Sequence, residues 1–303
     1  MAKSQQNVAL LMGGWSAERE VSLSSGGEIA KALEKMGHAV RVIDVTDDSE
    51  ALLQHLTPRP DVIFNALHGT GGEDGVIQGF LDVLKIPYTH SGVAASAIAM
   101  DKVLSRKIFE HHGIPTPPWA LVKRMSLKDH LPFEKPFVIK PLKNGSSRGV
   151  YIVKDTLPEE IFSDAWAFGD DLLIEKYLPG REIQVGVLGE KALGAIEICP
   201  KTEFYDYQAK YTEGFAEHIM PAGLSKDDYD HVLELGLRAH NALGCRGVSR
   251  VDFIFYEGTF YLLEVNTHPG MTPLSLVPEI AAYKGLSFED VLQHLLNHAT
   301  YRT

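Results

Sequence analysis

The sequence predicts an α/β chain: a doubly wound parallel sheet at the amino-terminal end, followed by α+β segments built on antiparallel strands. Three observations carry this. Strand and helix patterns alternate from Asn7 to Lys85, hairpin-like alternation takes over after the Pro-rich IPTPPW, and the stretch Val248 to Thr272 reads as a β-hairpin. Its polar residues sit where strands seldom put them.

Bulk properties narrow the functions in play. A chain of 303 residues with 45% apolar and 23% charged residues is globular and long enough for two or three domains. The formal charge of −11 argues against nucleic-acid or anionic-membrane partners, so a bound phosphate has to be met by a locally basic pocket. Small molecules are the expected partners. Cys199 and Cys245 stand far apart, with no CxxC or Cys/His cluster, which points to the cytosol rather than to a disulfide framework or a zinc site. The apolar stretch before Gly13-Gly14 is too short for a signal peptide, and Ile86 to Met100 is too short and too broken by Pro and Gly to span a bilayer.

Taken in order, the first part reads as strand Asn7 to Met12, helix Glu18 to Met36, strand His38 to Asp44, short helix Ala51 to Leu56, strand Asp61 to Leu67 and helix Asp74 to Lys85. Ligands in such sheets sit beyond the carboxyl ends of the strands, and two exits here are glycine-rich and charged: GGWSAEREVS and HGTGGEDG. Gly13-Gly14 before a helix reads as either a dinucleotide site or a tight strand-to-helix turn, and the absence of GxGxxG counts against the first. Glu18 suits a helix amino terminus, and His68 is either a loop histidine or a ligand contact.

A second segment begins near Ser96, with helix Met100 to His112. Strands follow at Ala120 to Lys123 and Phe137 to Lys140, then the loop Pro141 to Gly149, strand Val150 to Lys154, a helix near Pro158 to Phe168 and strand Leu172 to Leu178. The loop KNGSSRG lets backbone N–H groups converge on an anion, with Ser146 and Ser147 as hydroxyl donors and Lys140 as a point charge. A flexible hairpin explains it equally. Beyond Leu178 an alternating run turns at Gly189-Glu190, and the aromatic loop FYDYQAKY, containing Lys210, has the character of a lid or a self-packed surface loop. Helix Lys226 to Leu243, the hairpin, and helices from Ser275 and Ser287 complete the chain.

In the hairpin, Arg250 and Asp252 share one strand face, and Glu264 and Asn266 share one face of the partner strand. An odd loop or a bulge sets Asp252 opposite Glu264 and Arg250 opposite Asn266. Carboxylates at that distance repel unless a cation lies between them. The face is either solvated or an oxygen-donor site for Mg²⁺ or Mn²⁺, ions that also hold substrate phosphates.

Together, the ordered motifs GGWSAEREVS, HGTGGEDG, MDK, KPLKNGSSRG, EKYLPGRE, FYDYQAKY, RVDF and LLEVNTHPGMTPLSL resemble the D-alanine–D-alanine ligase family of the ATP-grasp superfamily over almost the whole chain. The resemblance implies an N-terminal substrate domain over 1–95, and two α+β ATP-grasp modules over 96–178 and 179–303 that sandwich the nucleotide. It also implies ATP and two Mg²⁺ or Mn²⁺ ions, a homodimer, and synthesis of D-alanyl-D-alanine through a D-alanyl phosphate for peptidoglycan. By that resemblance Asp252, Glu264 and Asn266 would hold the metals, with Glu264 shared. Lys102, Lys140 and Ser147 would meet the ATP phosphates, Glu175, Lys176 and Leu178 the adenine, and Glu182 the ribose. Glu18 would meet the first D-alanine ammonium, with His68 close by. Arg250 and the Gly270 N–H would stabilise the tetrahedral intermediate. Ser275, with Leu276 beside it, and Lys210 would hold the second substrate, while Ser146 and Tyr211 would bond across a closed lid.

Trp15, Arg148, Tyr177 and His268 depart from the usual pattern, and none removes a proposed ligand. Another ATP-grasp carboxylate–amine ligase would keep the metal residues without needing Glu18 or Tyr211. A nucleotide-binding regulator without turnover would be expected to lack Arg250 or Glu264.

Overall fold

The computed structural model describes residues 5–145, 148–200, 216–272 and 275–302, and an α/β fold built on three sheets. The first is parallel, with β1 (Asn7–Gly13) between β2 (Ala39–Val45) and β3 (Val62–Asn65). Strand alternation sends β1 side chains to two separate cores. Val8 and Leu10 pack on Ile29 and Leu33 of α1 (Arg19–Lys35), whereas Ala9 and Leu11 pack toward Leu52 of α2 (Ser49–His55) and Ile77 and Leu81 of α3 (Val76–Leu84). Helices on both faces are the doubly wound arrangement that the alternating pattern predicts.

Two helices then lead into the second sheet. The helix expected from Met100 to His112 is α5 (Lys102–His111), and a helix that was not expected, α4 (Val93–Met100), precedes it across the break at Asp101. That residue is extended, with φ −90° and ψ 103°, and its side chain accepts from the N–H groups of Val103 and Leu104. An N-cap placed inside an apolar run ends one helix and starts the next. Lys102 therefore stands at the first position of α5.

The second sheet has the order β4-β7-β5-β6, from β4 (Trp119–Lys123), β5 (Phe137–Pro141), β6 (Tyr151–Val153) and β7 (Asp171–Lys176), all antiparallel. The helix expected near Pro158 to Phe168 is only a 3₁₀ turn, Glu159–Phe162. Ser163 donates to the Glu160 carbonyl, a local bond that competes with helix continuation, and Trp166 and Phe168 pack edge to face instead.

The third sheet runs β10-β9-β8-β11-β12, from β8 (Arg181–Leu188), β9 (Lys191–Pro200), β10 (Ala216–Ile219), β11 (Val248–Tyr256) and β12 (Thr259–Asn266). The helix α6 (Lys226–Ala242) covers one face through Val232, Leu235 and Ala239. On the other, α7 (Leu276–Tyr283) and α8 (Phe288–Asn297) join a core that reaches back to β1 and α1.

The key hairpin resolves its parity by a bulge. Its turn is the two-residue pair Glu257-Gly258, both at positive φ, and the register shifts between Asp252 and Phe253. Asp252 then pairs with Glu264 and Arg250 with Asn266.

Candidate active site

Two cavities meet beside this hairpin. The smaller, of about 100 Å³, lies where the exits of β1 and β3 approach β12 and the turn after it. Glu18, His68, Arg250, Asn266, Gly270, Ser275 and Leu276 line it. The larger, of about 360 Å³, lies between the second and third sheets, lined by Lys140, Lys176, Leu178, Glu182 and Asp252, with Glu175 on its wall. Lys102, Asn144 and Glu264 line both.

The strand exits are held together by hydroxyls. Ser22 accepts from the Gly13 N–H and donates to the Ala66 carbonyl, and Ser16 donates to the His68 carbonyl. Those bonds fix Glu18, at the start of α1, next to the β3 loop. Gly69 and Gly145 both come so close to Glu18 that a Cβ at either would lie 3.0 Å from its Oε1. His68 is buried, with Nδ1 2.9 Å from Oε1 of Glu73 and its ring tilted against His268 at 5.4 Å. Arg19 pairs bidentately with Asp44 at 2.7 Å.

Behind His68, His268 stacks on His90 at 3.8 Å. Burial, with neighbouring imidazoles adding to it, holds His268 well below the usual histidine range, and burial first and then His68 and Arg246 bring His90 to about 3. Both rings are neutral at pH 7.

In the larger cavity, Glu175 is 1% exposed and yet ionised. Burial alone would raise its pKa, but Arg106 and Lys140, each bonded to the carboxylate, outweigh it and bring the net shift down. Lys102 donates to the Asn144 carbonyl at 2.6 Å, tying α5 to the loop after β5. Burial lowers its pKa, while the charge of Glu264 opposes the shift. Arg250 grips Asp252 through Nε and Nη2, both at 2.8 Å, and the Asn266 amide oxygen accepts from the His268 N–H at 2.8 Å.

Among the described residues no three His, Cys, Asp or Glu side chains converge on a metal position. The donor set of the hairpin is two facing carboxylates, Asp252 and Glu264, with the Asn266 amide one repeat away. Oxygen-only donors of this kind fit a hard divalent cation, which would compete with Arg250 for Asp252.

Family models decide the lineage. The model for the D-ala D-ala ligase C-terminus matches residues 108–297, and that for the N-terminus matches residues 50–91. A D-alanine–D-alanine ligase from Rhodospirillum rubrum is 49% identical over 296 residues, covering 97% of this chain and 98% of that protein. The chain belongs to the D-alanine–D-alanine ligase family. A second ligase, from Sinorhizobium medicae, is 49% identical over 306 residues and covers 98% of this chain and 99% of its own. Among solved structures, the Bacillus anthracis D-alanine–D-alanine ligase complexed with ATP aligns at TM-score 0.82 and 33% identity over 97% of both chains. The fold is accordingly that of the ATP-grasp ligases.

Every expected site residue that falls among the described residues lines one cavity or both. Ser146, Ser147, Lys210 and Tyr211 lie outside the described residues. Sequence reasoning missed Glu73, the partner of His68, and Asn144, which lines both cavities. Glu73 was visible as one of the two carboxylates of HGTGGEDG, whereas nothing in the loop sequence singles out Asn144. His90 and Arg106 gave no signal at all, because neither belongs to a motif.

Proposed function

We propose that the two cavities are the halves of one ligase active site, the larger holding ATP and the smaller the two D-alanines. The observation that carries this is the junction: Lys102, Asn144 and Glu264 belong to both cavities, so a γ-phosphate and an amino-acid carboxylate can meet there. The chain is an ATP-dependent ligase, and its product is D-alanyl-D-alanine for peptidoglycan synthesis. The carboxylate of the first D-alanine attacks the γ-phosphorus, giving D-alanyl phosphate and ADP. The unprotonated amine of the second then attacks the acyl carbon, and phosphate leaves.

In this reading Glu18 binds the ammonium of the first D-alanine, and His68, fixed by Glu73, closes that subsite. Lys140 and Lys102 neutralise phosphate oxygens, and Glu175, Lys176, Leu178 and Glu182 line the adenosine end. Arg250 and the Gly270 N–H meet the charge that develops on the carbonyl oxygen, and Ser275 and Leu276 border the second subsite. Phosphoryl transfer needs positioning and charge neutralisation more than covalent help, which suits this set. Asp252, Glu264 and Asn266 are the oxygen donors for two Mg²⁺ or Mn²⁺ ions, which when bound neutralise phosphate charge.

The test is phosphate release from ATP with D-alanine, L-alanine or glycine as sole amino acid. Turnover confined to D-alanine is expected; equal release with L-alanine would overturn the substrate reading. Residues 1–95, 96–178 and 179–303 form the three domains in this reading. The thiols of Cys199 and Cys245 suit the cytosol.

A homodimer is part of the same proposal. Val76 and Val83 stand two helical turns apart on α3 at 58% and 82% exposure, an apolar stripe suited to a second copy. Val83→Glu should convert the dimer to monomer in light scattering, and a wild-type monomer at micromolar concentration would refute it.

A further inference from the structure

Arg106 takes no part in the reaction as described, yet it is the largest fully buried side chain among the described residues, at 1% exposure. It stands one turn after Lys102 on α5. One guanidinium nitrogen donates to Oε1 of Glu175, whose other oxygen holds Lys140, and a second donates to the carbonyl of Leu262. These partners belong to the two sheets that flank the larger cavity, which Glu175 itself lines and Leu262 does not. Glu175 is in β7 of the four-stranded sheet, and Leu262 is in β12, the edge strand of the five-stranded sheet, two residues before Glu264.

Leu262 faces outward from that edge. On a strand, the N–H and the carbonyl of one residue point to the same side, and the Leu262 N–H goes to the Pro115 carbonyl at 2.8 Å. Pro115 and Arg106 therefore cover the edge together, which pins the strand that carries Glu264. A methionine would fill the same space without burying a charge. An arginine there is costly unless its fork is used in two directions, and here it is.

We propose that Arg106 is a positioning residue for the nucleotide: it fixes Glu175, and through it Lys140, on one wall, and β12 with Glu264 on the other. The proposal rests on the larger cavity being the ATP site. Without Arg106, Glu175 is left to Lys140 alone, which draws the ammonium away from the phosphate position, and the edge carbonyl of Leu262 loses its donor.

The experiment compares Arg106→Met, Arg106→Lys and the double variant Arg106→Met/Glu175→Gln. Each is measured by ADP calorimetry with and without Mg²⁺, by separate KM values for ATP and D-alanine, and by thermal denaturation. Arg106→Met should weaken ADP and raise the ATP KM by tenfold or more, with the D-alanine KM within twofold. Arg106→Lys should recover part of the ADP affinity, because it restores charge but not the fork. Removing both charges should recover thermal stability without recovering ADP binding. A merely structural role predicts a lower Tm with ADP affinity within twofold of wild type, and that result overturns the proposal. If Arg106→Met does not fold, unchanged ADP affinity in the other two variants overturns it equally. Leu178→Trp, which fills the cavity, separates the two readings. Intact ADP binding there refutes the cavity assignment, whereas lost binding there with normal binding in the Arg106 variants refutes the role of Arg106.

Discussion

Glu264→Gln tests the centre of the site because it removes one charge and almost no volume. Glu264 pairs across the strands with Asp252 and lines both cavities, so its charge is felt where phosphoryl transfer is proposed. Two carboxylates set opposite each other repel, and relieving that repulsion is worth about 0.2–1 kcal/mol of folding free energy. The attraction of Glu264 for the buried Lys102 is lost at the same time and opposes that gain, so the fold should keep its stability to within about 1 kcal/mol. Catalysis should fall, because Glu264 would act on the anionic transition state through the divalent cations it is proposed to hold, and weakening one preorganised charge of that kind costs about 2.7–4 kcal/mol, roughly 10²–10³ in kcat. The assay is steady-state phosphate release at saturating ATP, D-alanine and Mg²⁺, with urea denaturation alongside. A loss of turnover below fivefold would refute the role of Glu264 in transfer. So would a loss that merely tracks a fall in stability, because the same substitution would then be acting on the fold.

Gly145→Ala probes the contact between the loop after β5 and Glu18. The backbone at Gly145 tolerates a side chain, but its Cβ would lie 3.0 Å from Oε1 of Glu18. Pushing Glu18 off its rotamer costs about 0.5–1.5 kcal/mol, roughly 2- to 12-fold in the KM of the first D-alanine, with the ATP KM unchanged; equal rises in both constants would count against Glu18 as the ammonium partner. A pH series tests the buried histidines. His90 and His240 have folded pKa values of about 3 and about 4, both depressed by burial, so the unfolded chain binds more protons below pH 6.5. Their stabilising contribution is full above pH 6.5 and is lost as pH falls, by about 2 kcal/mol per histidine at pH 5. A urea midpoint unchanged between pH 7 and pH 5 would show that these rings are not buried in neutral form.

Periodicity made the sheets legible, and what it missed has a physical pattern. The first sheet could be read because β1 alternates between two cores and each strand is followed by an amphipathic helix. The facing of Asp252 and Glu264 was legible because alternation fixes parity, while the position of the bulge that achieves it was not. The helix α4 was not read because Val93–Met100 is apolar nearly all round and shows no helical stripe, and Asp101 was not read as the N-cap of α5 because such an aspartate is not distinguishable there from an exposed helical one. In the site, residues carried by motifs emerged, and residues joined only by the fold did not. Arg106 meets Glu175 and Leu262 from remote parts of the chain, and His90 stacks on His268 from the connection between α3 and α4.

The same pairing bears on how a chain of net charge −11 can hold a polyanion. A locally basic pocket is required, and the cations are there, yet several are already matched to carboxylates: Lys140 and Arg106 to Glu175, and Arg250 to Asp252. Matched charges keep the buried site from paying the desolvation of lone ions while no phosphate is bound. In the proposed site they also mean that triphosphate reaches Lys140 by exchange, competing with Glu175 for that cation. Affinity is then set by how firmly the carboxylates are held by other partners. Arg106 supplies that hold for Glu175, which is why a residue that lines neither cavity can govern the nucleotide.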